Sequence, residues 1–265
     1  MGEIIVVTSG KGGVGKTTTT ANIGTGLAMR GKTVVLIDTD IGLRNLDVVM
    51  GLENRIVYDL VDVAEGVCRL KQALIKDKRY MGLFLLPAAQ TREKSAVTPE
   101  QMQKITEDLA AQYDYVLVDC PAGIEQGFKN AVAGATQAIV VCVPEVSSVR
   151  DADRIIGLLA THGLTEPRLI INRINNEMVK RGDMMNIADT LDILGVELLG
   201  IVPDDENIIR STNLGEPIVT TQSLAGRAYQ NIVSRLMGDK VPLLDLDERG
   251  GVREWFKNIF GRKNR

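Results

Sequence analysis

At 265 residues, 45% of them apolar and 25% charged, the chain is long enough for one α/β domain with a substantial core. A formal net charge of −3 argues against a surface that is basic all round, so nucleic acid is not expected as a partner. Three widely spaced cysteines, Cys68, Cys120 and Cys142, and one histidine, His162, supply neither a disulfide framework nor the spacing of a zinc or iron–sulfur site. No signal-peptide pattern and no run of eighteen or more apolar residues occurs, and the expectation is a protein kept in the cytoplasm.

Taken in chain order, short β-branched runs alternate with helix-period segments. The runs IIVVTS, TVVLID, LFLLPA, YVLVD, AIVVCVP, RLIIN and LLGIVP read as strands. Apolar along their whole length, they predict burial on both faces: a doubly wound, mostly parallel sheet with helices on each side. The segment starting at Val97 carries a capping box, Thr98 with Gln101, and Pro99 at the first helical position. A further helix opens at the serine pair 147–148 and stops at Gly163, which gives His162 a helix-end place. Cys120 and Cys142 sit inside apolar runs and read as small buried thiols.

The first strand runs directly into Gly10, Lys11, Gly12, Gly13, Val14, Gly15, Lys16 and Thr17, which satisfy G-x-x-x-x-G-K-[ST] between a strand and a helix. Glycines let successive N–H groups face one concavity, the helix start adds partial positive charge, Lys16 neutralises the β- and γ-phosphates, and the Thr17 hydroxyl suits Mg²⁺. Thr18 follows at the α-phosphate. The second strand ends in Asp38 and Asp40, at the strand end where such sheets place ligand chemistry. YVLVD supplies Asp119, placed to hold Mg²⁺ through water, and Gly123 follows in a loop able to sense a γ-phosphate.

The second lysine, Lys11, has no place in the plain phosphate loop. With it, KGGVGKT resembles the deviant Walker A box of the ParA/MinD family of P-loop ATPases, and the resemblance covers nearly the whole chain. It is densest with the septum-site-selecting branch, through IDTDIGLRNLDVVMG, LPAAQTR, PAGIEQG, PEVSSVRDADRI and NLGEPI. It implies a slow Mg²⁺-dependent ATPase in which Lys11 crosses to the phosphates of a second copy, so that ATP builds a homodimer. It also implies that Asp40 orients the attacking water, that Asp38 joins Asp119 in supporting Mg²⁺, and that Asn172, Pro203 and Asp205 meet the adenine. Finally, it implies docking of a MinC-type division inhibitor, and of a MinE-type activator where one exists, near Arg150, Asp151, Asp153 and Arg154. A ParA-type DNA segregation ATPase, or a cargo-positioning ATPase, shares the nucleotide motifs and is the alternative.

The chain ends in REWFKNIFGRKNR, which holds the only tryptophan. On a helix from Val252, the residues Val252, Trp255, Phe256, Ile259 and Phe260 form one stripe, with Arg253, Lys257, Arg262, Lys263 and Arg265 against a single Glu254. Aromatic side chains opposite a basic face are the pattern of a helix lying in an anionic membrane interface. The expected organisation is therefore an ATPase domain over 1–238, an acidic linker over 239–251 and an amphipathic membrane-targeting helix over 252–265. It places the protein on the cytoplasmic face of the inner membrane. One such helix binds marginally, whereas two joined in a dimer gain roughly 10²–10⁴ in avidity without a new contact.

Overall fold

The computed structural model describes residues 1–244. Its strands are β1 (Glu3–Thr8), β2 (Val34–Asp38), β3 (Ile75–Lys76), β4 (Leu83–Leu86), β5 (Tyr115–Asp119), β6 (Gln137–Cys142), β7 (Arg168–Ile174) and β8 (Glu197–Pro203). They form one sheet in the order β3-β4-β2-β5-β1-β6-β7-β8. Every pairing is parallel except that of β3 with β4. The helices are α1 (Lys16–Met29), α2 (Leu46–Val49), α3 (Leu60–Ala64), α4 (Leu70–Ala73), α5 (Pro99–Ala110), α6 (Gln126–Val132), α7 (Val146–Thr161), α8 (Asn176–Arg181), α9 (Ile187–Leu194), α10 (Glu206–Asn213) and α11 (Leu224–Leu236).

Period-two alternation divides the apolar strands between two cores. Ile4, Val6, Val35, Ile37, Val116 and Val118 pack with Met102 and Leu109 of α5 and with Ile155 and Leu159 of α7. Ile5, Val7, Leu36, Leu117 and Ile139 pack on the other face with Ile23 and Leu27 of α1 and Tyr229 and Ile232 of α11. This two-sided burial is the doubly wound architecture expected of the sequence. From β1 the chain crosses toward β2, and from β5 it crosses past β1 to β6. The carboxyl ends of β1, β2 and β5 therefore open on the crevice where the winding changes direction.

Helix boundaries follow local chemistry. Thr98 accepts from the Gln101 N–H at 3.3 Å while the Gln101 side chain accepts from the Thr98 N–H at 2.9 Å, closing the capping box of α5. Helix α7 starts at Val146, one residue before the serine pair, and His162 caps its C-terminus with its ring edge-on to Phe128 at 6.0 Å. The antiparallel edge strand β3 was not expected; at two residues it is too short to show a period. Beyond α11 the chain is touched at two points, where Arg235 Nε donates to Val241 O at 2.9 Å and where Leu244 is only 8% exposed. No helix among the described residues is long and apolar enough to cross a membrane. The stripe Val252, Trp255, Phe256, Ile259 and Phe260 lies outside the described residues.

Helix α1 lies close against β2 and α11 because it carries glycines where they approach. A Cβ on Gly24 would fall inside the Leu36 side chain, and one on Gly26 would lie 2.7 Å from Val233 Cγ2. Gly24→Ala sets helix propensity, which favours alanine by about 1 kcal/mol, against overpacking. The crowding is expected to win, with a net loss of about 1 kcal/mol or more measured by urea unfolding.

Candidate nucleotide-binding site

The phosphate loop folds as its glycines require. Gly13 and Gly15 take φ +78° and +99°, and Gly15 is the N-cap of α1. Neighbouring elements approach so closely that side chains would collide with them: a Cβ on Gly15 would meet the Asn172 amide, and one on Gly10 would meet the backbone of Asp151 in α7. Gly12 faces Ala122, which its Cβ would approach to 3.6 Å. The loop thus touches the base side, the start of α7 and the segment after β5. Lys16, 7% exposed, donates from Nζ to Ser9 Oγ at 2.9 Å, and Ser9 Oγ in turn donates to Lys11 O at 2.7 Å.

Asp38 and Asp119 sit opposite one another in the β2–β5 register, 1% and 2% exposed. Burial pushes the Asp119 carboxyl up to about 8, with the Asp38 charge adding to it and with Thr17, Lys16 and Thr20 opposing. Thr20 Oγ1 donates to Asp119 Oδ1 at 3.2 Å. Asp38 is also raised, first by burial, although the N–H groups of Asp40 at 2.9 Å and of Asn45 and Leu46 at 3.1 Å each donate to it. Asp40 lies beyond the strand, where its carbonyl accepts from Leu43 and Arg44 and closes a turn with Gly42 and Arg44 at positive φ. Asp40 is half-buried at the crevice rim while Asp38 is buried, so the two carboxylates stand in different surroundings.

On β7, Asn172 is 3% exposed and its Nδ2 donates to Val14 O at 2.8 Å. Its Oδ1 is buried without a partner, which suits a ligand donor such as the exocyclic amine of adenine. Arg173 beside it takes φ +54°, where β7 slips register before Ile174 pairs with Pro203. Asp205 is engaged otherwise: its carboxylate accepts from the N–H groups of Asn207 at 2.9 Å and Ala225 at 3.3 Å, capping α10. Pro203 is buried at the end of β8, where it pairs with Ile174.

Lys11 folds back on its own chain, 3.8 Å from Glu145 Oε2 and 3.5 Å from Ser147 Oγ at the start of α7. Both ionic side chains are about half exposed, 46% and 55%, so the contact contributes little and is easily exchanged. Of the residues expected to meet a protein partner, Arg150, Asp153 and Arg154 are exposed. Asp151 is half-buried where α7 meets Gly10.

Sequence reasoning missed Ser9, Thr20 and the Glu145 and Ser147 pair. Ser9 and Thr20 were findable from their places beside Gly10 and one turn after Lys16. Glu145 and Ser147 come to Lys11 only through the sheet order. Among the described residues no group of three His, Cys, Asp or Glu side chains gathers as a metal cage.

A glycine-cradled helix start, a buried lysine and two dry carboxylates at the winding switch define a P-loop nucleotide-binding protein. A family model, the CobQ/CobB/MinD/ParA nucleotide binding domain, matches residues 5–218. The septum site-determining protein MinD of Bacillus subtilis (strain 168) is 58% identical over 98% of this chain and 99% of its own. The MinC:MinD cell division protein complex of Aquifex aeolicus matches with TM-score 0.85 and 52% identity, over 92% of this chain and 98% of that one. MinD of Pyrococcus horikoshii complexed with Mg-ADP matches at TM-score 0.82 and 29% identity, over 91% and 100%. The chain belongs to this nucleotide-binding family and, within it, to the MinD septum site-determining proteins. The family is one of ATPases.

Because the native Asp119 pKa lies above its ordinary 3.8, the folded state holds a proton that the unfolded state releases. Its contribution to stability therefore falls as pH rises from about 4 to about 8. Without nucleotide and with chelator, the wild-type chain is expected to lose about 2–3 kcal/mol between pH 6 and pH 8, roughly 5–10 °C in melting temperature. Asp119→Asn should flatten that decline, as followed by thermal denaturation at the two pH values.

Proposed function

We propose that this protein hydrolyses ATP slowly with Mg²⁺, dimerises around ATP, and carries a MinC-type division inhibitor to the cytoplasmic face of the inner membrane, controlling where the septum forms. The observation that carries the reading is the convergence of Lys16, Thr17, Asp38, Asp40 and Asp119 at one crevice, with a detachable Lys11 at its rim. Likeness to a MinD complexed with Mg-ADP and to a MinD from a MinC:MinD complex supports both nucleotide and partner.

In this reading the residues divide the work. Backbone N–H groups from Gly10 to Thr17 cradle the phosphates, with Lys16 already held inward by Ser9. Thr17, with Asp119 and Asp38 acting through water, would hold Mg²⁺, whose charge neutralises the β- and γ-phosphates. Asp40 stands at the rim, its backbone fixed by Asp38, and orients the attacking water. Lys11 leaves Glu145 and Ser147 for the phosphates of a second copy, which frees the start of α7, the segment from Glu145 to Arg154, for the inhibitor or for a MinE-type activator. The domain over 1–238, the linker over 239–251 and the amphipathic helix over 252–265 then act as a switch. Dimerisation joins two marginal membrane helices, and hydrolysis separates them.

The test is co-sedimentation with anionic liposomes of the full chain and of a version ending at Gly251, each with Mg-ATP and Mg-ADP. The expected result is pelleting of the full chain with ATP only, lost on truncation. A full chain that stays in the supernatant with ATP, or a truncated one that still pellets, contradicts the switch.

A further inference from the structure

Two short helices leave the nucleotide crevice and meet well behind it. One is α2: the N–H groups of Asn45 and Leu46 at its start donate to Asp38 at 3.1 Å each, and its final turn ends at Met50 and Gly51. The other is α10, which follows Pro203, is capped by Asp205 and ends at Leu214 and Gly215. Their far ends touch glycine to glycine. A Cβ on Gly51 would lie 3.1 Å from Gly215 O, and one on Gly215 would lie 2.8 Å from Gly51 N. Both residues take positive φ, +62° and +64°.

Arg79 spans this junction. Its Nη1 donates to Gly215 O at 2.7 Å, and its Nη2 donates to Met50 O and, at 2.8 Å, to Asp77 Oδ2. Its Nε donates to Asp77 Oδ1 at 3.2 Å, and the guanidinium lies over the Tyr80 ring at 5.3 Å from the centroid. Asp77 is 1% exposed and fixed to the sheet edge, where its N–H donates to Leu83 O at 2.9 Å. The guanidinium therefore reads three groups in different directions from an anchored position, a task for its planar fork that a lysine cannot reproduce.

We propose that Arg79 is a positioning residue that locks the far ends of α2 and α10 together, coupling the base side of the nucleotide site to the Asp38 side. It touches no nucleotide. A base held at the unpartnered Asn172 Oδ1, beside the end of β8 that leads into α10, would settle α10, and the shared junction would then hold α2, and with it Asp38 and the Asp40 turn, in the arrangement that Mg²⁺ and water need. The proposal rests on the ATPase reading above.

The experiment uses the full chain as wild type, Arg79→Lys and Arg79→Gln, at a temperature where circular dichroism shows all three folded. Competition of ATP and of GTP against a fluorescent adenine nucleotide gives base preference. The Mg²⁺ dependence of ATP hydrolysis gives the metal side. Arg79→Gln is expected to weaken the preference for ATP over GTP and to raise half-saturating Mg²⁺ together, each by about tenfold, within the range usual for coupled sites. Arg79→Lys should fall between, and keeps the test open if the glutamine variant does not fold. A lower melting temperature with both readouts unchanged would make Arg79 a structural pin and overturn the proposal. A wild-type chain that neither binds nor hydrolyses ATP would overturn the functional reading itself, and the coupling with it.

Discussion

Asp38 and Asp119 face each other across one step of register between β2 and β5, in an interior from which water is nearly excluded. Two like charges in such a place are unfavourable, and the surroundings show how far the fold goes to accommodate them. Asp38 takes three backbone N–H groups, Asp119 takes threonine hydroxyls, and Lys16 lies inward beside them. Burial nevertheless raises both carboxyls, so the accommodation is partial. A divalent ion with phosphate oxygens would complete it. The pair thus presents a need that a bound divalent ion would meet, and the crevice is arranged around it.

Close approach transmits that need outward. Gly10 lies on the backbone of α7, Gly12 on Ala122 and Gly15 on Asn172, with no room for a side chain at Gly10 or Gly15. Movement of the phosphate loop by even a fraction of an ångström must therefore be felt at the base side, at the loop after β5 and at the start of α7, because packed interiors do not deform smoothly. Lys11 adds an electrostatic arm to the same route, since its present partners, Glu145 and Ser147, are on the helix proposed for docking. Nucleotide state and partner access become one problem in geometry.

Much of this was legible in the residues. The seven apolar runs declared themselves because burial on two faces removes the polar half of a strand, and the phosphate loop because its glycines and lysine have one arrangement that works. The Thr98 capping box and the helix-end place of His162 are local and were readable for that reason. What escaped depends on contacts distant in sequence. The two-residue β3 has no period, α2 is a single turn defined by its bond to Asp38, and Arg79 reads as a surface cation until Met50 and Gly215 are seen beside it. Asp205 was not legible as an engaged carboxylate, capping α10 and bonded to Ala225, because Ala225 lies twenty residues away in sequence. Asp151 took its half-buried place from the glycine opposite, not from its own helix period.

In the proposed function ATP, through these carboxylates and Lys11, joins two copies of the chain. Sedimentation velocity of the full chain without lipid, in Mg-ATP and in Mg-ADP, reads this state. A dimer with ATP and a monomer with ADP are expected, with Lys11→Ala monomeric in both. A chain that is monomeric with bound ATP, or equally dimeric with either nucleotide, would contradict it.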